Sequence, residues 1–207
     1  MREPLQAQLI ATKRQHILDA AARVFAEKGF HATSVKDVAQ AAGVAQGSIY
    51  NYFENKEALL LSLFDLMTAR TRSDLAPELQ HERDPRALLR AALRAPLAAL
   101  TGGNAELFRV VVSEVLVNRD FAARFQAQIL EPMIGTSAEL LRRTIFPDAT
   151  PEATPEDFDL RVRVVSGLVL GLILQRVLLG GVLETRWDDV PDLLADVLLH
   201  GLGGEVG

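Results

Sequence analysis

Gly43 separates two short runs of helix-forming residues, "SVKDVAQAA" and "VAQGSIYNY", and this break constrains the fold more than any other feature of the chain. Glycine takes a positive φ at little steric cost, so it suits a tight turn between two crossed helices. The second run is itself stopped at "ENKEALL", where Asn55 can cap a further helix. Helices crossed near a right angle need a small residue where they touch and apolar residues to lock the pair. Counting back four positions from Gly43, Ala39 is the contact residue, and Val38, Ala42, Val44, Ile49 and Tyr52 fall inward.

With those residues inward, the third helix, about Ala45 to Tyr52, turns Gln46, Gly47, Ser48, Tyr50 and Asn51 outward. Gln46 can reach base edges in a major groove, and Gly47 lets the backbone come close. Ser48, Tyr50 and Asn51 can hydrogen-bond phosphates. Lys36 and Lys56 bracket the helix with positive charge, and the amides at the starts of the second helix, beside Ser34, and of the fourth can bind anions. An Ala-Gly-Val turn also occurs in helical proteins that never meet DNA; the caps on both sides and the Ser-x-Tyr face favour the DNA reading. Charge agrees. Residues 1–57 carry seven Lys and Arg against six Asp and Glu, a net +1, whereas the whole chain is at −5. The N-terminal quarter is therefore the one segment where an anionic partner is electrostatically favoured.

The rest of the chain also reads as helix: strand signals are missing, and apolar residues recur at helical spacing. A first helix is expected from Thr12, with Gln15 closing a capping box, through Ile17, Leu18, Ala21, Val24 and Phe25 to Gly29. Ser34 and Asp37 open the second, and Asn55 opens the fourth, which runs to about Asp74. Asp84 and Pro85 start the fifth, with a kink expected at Pro96, and Asn104 caps the sixth. The long seventh, "RDFAARFQAQILEPMIGTSAELLRRTIF", should bend or split near Pro132 and Gly135. Thr154 and Asp157 cap a helix from Pro155 to about Leu179, and a last one covers about Val190 to His200. The expectation is an all-α fold of about nine helices.

With 207 residues, 49% of them hydrophobic, the chain can bury a substantial core and is too apolar to be disordered. It has no cysteine, so disulfides and thiolate metal sites are excluded. "MREPLQAQLIATKRQ" lacks the apolar core of a signal peptide, and "VVSGLVLGLILQ", between Arg163 and Arg176, is shorter than the roughly 20 residues a bilayer requires. A cytoplasmic protein without membrane attachment is expected.

The stretch "ILDAAARVFAEKGFHATSVKDVAQAAGVAQGSIYNYFENKEALL", from Ile17 to Leu60, resembles the N-terminal DNA-binding domain of the TetR family of transcriptional regulators. The resemblance rests on "AA..VF.EKGF", "TSV.DVA..AGV" and "GSIY.YF..KEAL", about a fifth of the chain. It implies a homodimer of all-helical subunits, with a three-helix DNA-binding domain, residues 1–57, followed by a larger effector-binding and dimerisation domain, residues 58–207. By position it makes Ser34, Lys36, Gln46, Gly47, Ser48, Tyr50, Asn51, Tyr52 and Lys56 the DNA contacts. The partners it implies are a pseudo-palindromic double-stranded operator and a small, mainly apolar effector whose binding releases a repressor from DNA. The third helix has no basic residue of its own, so Lys36, Lys56 and the helix-start amides should supply much of the affinity.

In the second domain Phe64, Met67, Phe108, Val112, Phe121, Phe125 and Met133 are candidate walls of an effector pocket, although such a stripe is more often plain core. Glu114, a carboxylate inside "LFRVVVSEVLV", can meet a polar ligand or pair with an arginine. "SGLVLGLILQRVLL" spaces Gly167 and Gly171 four apart, which lets two helices approach closely. Leu168, Leu172, Gln175 and Leu178 on the same helix, with Leu194 on the last, complete a candidate dimer interface. The rival readings are an activator of the same fold and a helical-bundle enzyme or ligand-binding protein. The only cue for the latter is Glu78-x-x-His81, the spacing of di-iron bundles, which require a second such pair and two further glutamates. No catalytic site, cofactor or metal is expected.

Overall fold

Gly43 takes a φ of 65°, in the left-handed region that its place in the sequence demands. The turn joins α2 (Val35–Ala41) to α3 (Gln46–Ile49), and α2 packs on α1 (Glu3–Lys28). A Cβ at Gly43 would meet nothing within 4 Å, so Gly43→Ala tests the backbone alone. Holding an L-residue left-handed costs about 1–2 kcal/mol, and the substitution should lower the urea midpoint correspondingly at unchanged m.

The computed structural model describes residues 3–82, 84–98, 104–145 and 156–200. Among these the regular structure is helical throughout: after the first three come α4 (Lys56–His81), α5 (Pro85–Ala98), α6 (Asn104–Val117), α7 (Arg119–Phe125), α8 (Glu131–Ile145), α9 (Phe158–Leu179), α10 (Val182–Thr185) and α11 (Val190–His200). The expected all-α class is correct, but the described residues form eleven helices where about nine were expected. One extra comes from the long seventh segment, which is interrupted by a π turn, Gln126–Leu130. Pro132 has no N–H and its ring would collide with the carbonyl four residues back; the widened turn just before it, with the Glu131 amide donating to the Gln126 carbonyl, relieves this. The other is α10, set off by Gly180 and Gly181, both at positive φ.

Side-chain caps open α2, α4, α5 and α7, whereas α3, α9 and α10 start without one. The Ser34 side chain accepts from the Asp37 amide while Asp37 accepts from the Ser34 amide, the reciprocal box the sequence implied. Asn55 Oδ1 accepts from the Ala58 amide at 2.8 Å, and Asp84 Oδ2 from the Ala87 amide at 3.0 Å. At the first helix the expectation fails. Upstream residues continue the helix to Glu3, so Thr12 lies inside it with its hydroxyl bonded to the Gln8 carbonyl, and Gln15 reaches forward to Asp19. α4 runs past Asp74 to His81, α3 ends at Ile49 rather than Tyr52, and Pro96 is carried inside α5. Asn118 caps α7 by accepting from the Phe121 amide. Thr154 and the terminal "GLGGEVG" lie outside the described residues, as do the side chains of Glu78 and His81.

The chain divides into two compact units, Met1–Leu66 and Met67–Gly207. The first has its core in Ile17, Leu18, Ala21, Val24, Phe30, Val38, Ala39, Ile49, Phe53, Leu59 and Leu60, all buried. The second is organised by α5 against α11: Leu88, Leu89, Leu93 and Leu97 form one buried stripe at helical spacing, facing Val190, Leu194 and Ala195. Arg86 and Arg90 bridge the same two helices at their surface, Arg86 to Asp192 and Asp196 and Arg90 to Asp192. The hydrogen bond from Arg86 holds the Asp196 carboxyl below the usual carboxylate range, but both groups are exposed and solvent screens the pair. The helix expected from Pro155 starts at Phe158, and Asp157 before it makes no side-chain cap bond, yet it extends beyond the apolar run between Arg163 and Arg176. α9 has 22 residues and, by length and composition alone, could cross a membrane.

Candidate nucleic-acid interface

Within the first unit α3 is held by its one buried side chain, Ile49, 1% exposed. Around that anchor Gln46, Gly47 and Asn51 are exposed, Tyr50 is 51% exposed, and Ser48 and Tyr52 are half-buried. The candidate reading face is thus open to solvent, with Phe53 rather than a tyrosine as its fully buried aromatic. A Cβ at Gly47 would meet nothing within 4 Å, so the surface there is open and approachable. Ser34 and Lys36 are exposed at the start of α2.

Four polar tethers, none of which the sequence reading identified, fix this face to α1 and α4. His16 Nε2 donates to the Ala42 carbonyl at 2.9 Å, pinning the end of α2 beside the Gly43 turn. Arg14 donates to the Ser62 hydroxyl at 2.8 Å and lies over the Phe53 ring, 5.0 Å from its centroid. Lys28 pairs with Asp37 at 2.7 Å, so the capping box is tied back to α1. That hydrogen bond first, and those from Ser34 second, hold the Asp37 carboxyl far below the usual carboxylate range. The box therefore contributes its stability at all pH values above that range and loses it only on strong acidification, as pH falls toward the lowered pKa.

The fourth tether changes the reading of Lys56. Its ammonium donates to the Phe30 carbonyl at 2.8 Å and the His31 carbonyl at 3.4 Å, and sits 4.3 Å from the Phe30 ring centroid. Two of its three N–H groups are engaged within the chain, making it first a clamp on the loop between α1 and α2. Lys36, by contrast, is exposed and makes no hydrogen bond or ion pair among the described residues, so its charge is available to a phosphate.

A family model for bacterial regulatory proteins, tetR family, matches residues 17–63, the span of these helices and tethers. The N-terminal domain is of the TetR family. Curated regulators are similar to parts of the chain. The fatty acid metabolism regulator protein of Bacillus subtilis is 54% identical over 52 residues, 25% of this chain and 27% of that protein. The transcriptional repressor KstR2 of Rhodococcus jostii is 32% identical over 115 residues, 53% of this chain and 54% of that one. The matches thus span about a quarter and about half of these relatives' lengths. Over the whole chain the likeness is one of fold. The regulator FadR from Bacillus subtilis, solved with stearoyl-CoA, superposes with a TM-score of 0.64 at 23% identity, covering 91% of this chain and 98% of that one.

Beyond the TetR domain, the candidate pocket residues separate. Phe64 is buried in the first unit. In the second, Phe108, Phe121 and Glu114 are buried, Glu114 at 6% exposure, while Met67, Val112, Phe125 and Met133 are half-buried. The candidate dimer residues share a face only in part. On α9, Gly167, Leu168, Gln175 and Leu178 are exposed, and Gly171 and Leu172 half-buried. Leu194 does not join them: it is 9% exposed and turned into the core against α5, and Leu193, Val197 and Leu199 are the exposed apolar residues of α11.

Proposed function

We propose that this chain is a DNA-binding transcriptional regulator, a homodimer that represses by binding a pseudo-palindromic operator and leaves it when a small, mainly apolar effector binds the second unit. The observation that carries this reading is the open Gln46-Gly47-Tyr50-Asn51 face, backed by buried Ile49 and tethered on both sides, in a TetR-family domain. The names of the relatives, regulators and a repressor, support a regulator rather than an enzyme. Stearoyl-CoA in the FadR structure supports a long apolar effector. A cytoplasmic location follows from the role.

Selection of duplexes from a random DNA library by refolded, ligand-free protein at fixed salt tests the proposal. The expected product is an inverted repeat with half-sites about one helical turn apart. Recovery of nothing above background would refute DNA binding. With the selected duplex in hand, Lys36→Ala should weaken binding to specific and random DNA alike and reduce the salt slope by about 1, whereas Gln46→Ala should relax discrimination at particular base pairs. Equal losses from both changes on both kinds of DNA would refute that division.

The dimer is supported by the surface of α9. Only 22% of its most apolar window is buried within the chain, leaving Leu160, Val164, Leu168 and Leu178 in water, with Leu193 and Val197 of α11. An uncovered apolar face of this size calls for a partner. Arg161, Arg163 and Arg176 along the helix argue for a second copy of the chain over a bilayer.

A further inference from the structure

Arg176 lies on α9 one residue before Val177, whose side chain is buried in the core of the second unit. Its guanidinium carbon sits 4.4 Å from the centroid of the Trp187 ring. The chain comes back to make this contact because Gly180 and Gly181, at φ 64° and 78°, reverse it after α9. α10 and the 3₁₀ turn Trp187–Asp189 follow. Trp187 is itself fixed: it is 7% exposed, and its Nε1 donates at 3.1 Å to the Leu97 carbonyl, in the last turn of α5, where helix carbonyls lack intrahelical partners. The indole is therefore a rigid platform, and the guanidinium is stacked on it as such planar cations stack on aromatic faces.

The stack leaves a donor unmatched. Arg176 Nη1 is buried, yet finds no hydrogen-bond acceptor among the described residues. The carboxylates on the segment that carries Trp187 are otherwise engaged or turned to water: Asp189 pairs with Arg186, Glu184 lies against Gly180, and Asp188 is exposed. Arg86, Arg142, Arg161 and Arg163 of this unit each hold a carboxylate; half-buried Arg176, with Nη1 enclosed, holds none. A desolvated guanidinium is costly without an anion, and its planar fork is suited to a carboxylate or phosphate.

We propose that Arg176, stacked on Trp187, is the anion-holding residue of the effector site, so that the effector is an amphiphile carrying a carboxylate or a phosphate. This rests on the effector reading above, and adds to it the charged group that effector must bear and the residue that selects it.

Trp187 is the only tryptophan, so indole emission of the intact protein reports on this platform alone. The protein is titrated with dodecanoate, dodecyl phosphate and uncharged dodecanol, following emission, in wild type, Arg176→Gln and Arg176→Lys. At least one anion should give a saturable change at a concentration about tenfold or more below dodecanol. Whichever anion shows it identifies the carboxylate or the phosphate as the preferred group. Arg176→Gln should bring anion and alcohol to within about twofold, and Arg176→Lys should keep part of the preference, as a point charge without the planar fork. Circular dichroism and retained operator binding establish that the variants are folded. Equal affinities for anion and alcohol in wild type, an anion preference that survives in Arg176→Gln, or no response to either anion would overturn the proposal. Operator release is measured separately. Arg176-dependent anion binding without release would sink the effector reading and keep the site; release by alcohol and anion alike would do the reverse.

Discussion

Replacing Gly47 by glutamate should reduce affinity for the selected operator by about 100-fold or more at moderate salt, while the melting temperature stays the same or rises. The two halves of this expectation have separate causes. Nothing in the protein lies within 4 Å of a Cβ at position 47, the backbone there is helical, and the residue is exposed, so the fold accepts a side chain. Any ordinary residue is a better helix former than glycine, by roughly 0.5–1 kcal/mol relative to alanine. The DNA-facing consequence is the opposite. A carboxylate would stand at the point where the backbone of α3 is most approachable, facing a surface of phosphates, and like charges forced together across an interface cost several kcal/mol.

Gly47→Ala separates volume from charge. If the backbone of α3 must touch the groove floor, alanine alone weakens binding and glutamate adds a further, salt-sensitive loss. If only charge matters, alanine binds as wild type. Unchanged operator affinity for Gly47→Glu, with the variant folded, would mean that α3 does not enter the groove by this face, and would overturn the assignment of Gln46, Tyr50 and Asn51 as its reading residues.

The first unit was legible because its rules are local. A positive-φ glycine, a reciprocal Ser34–Asp37 cap and an Asn55 cap each act within four residues, and each appears in the structure as the sequence implied. What escaped was long-range. Lys56 bonds to a carbonyl 26 residues away and Arg14 to a hydroxyl 48 away, and nothing in the local pattern says which cation is tethered and which, like Lys36, is free. The same limit hid the second unit's most informative contact, since Trp187 reaches Leu97 across 90 residues. The start of α1 failed for a different reason. Thr12 and Gln15 have the spacing of a capping box, but a cap signature only marks a start if the chain before it is not already helical, and here the helix reaches back to Glu3. On α11 the periodicity is clear but two-sided: one apolar stripe, with Leu194, packs on α5 and another faces out, and spacing alone does not tell the two apart.

That two-sided pattern bears on the second large effect. Leu168→Arg should convert a two-chain particle into a single chain in sedimentation equilibrium, and lower operator affinity by about 10²–10⁴-fold, the avidity lost when two linked sites become independent. Leu168 is 49% exposed in the isolated chain, so arginine meets water rather than the core and the monomer should keep its helical content. In an assembled pair it would place a desolvated charge on the axis of an apolar helix contact, beside Gly167 and Gly171, whose lack of side chains is what permits close approach. Leu193→Arg on α11, 52% exposed, should act in the same direction if both helices share the interface, and Leu194→Ala should not: it would lower thermal stability through the α5 contact and leave the particle as two chains. A Leu168→Arg protein that remains two chains would move the interface off α9. The exposed apolar face of that helix would then need a different partner, and co-flotation of the wild-type protein with phosphatidylcholine vesicles would decide whether that partner is a lipid surface.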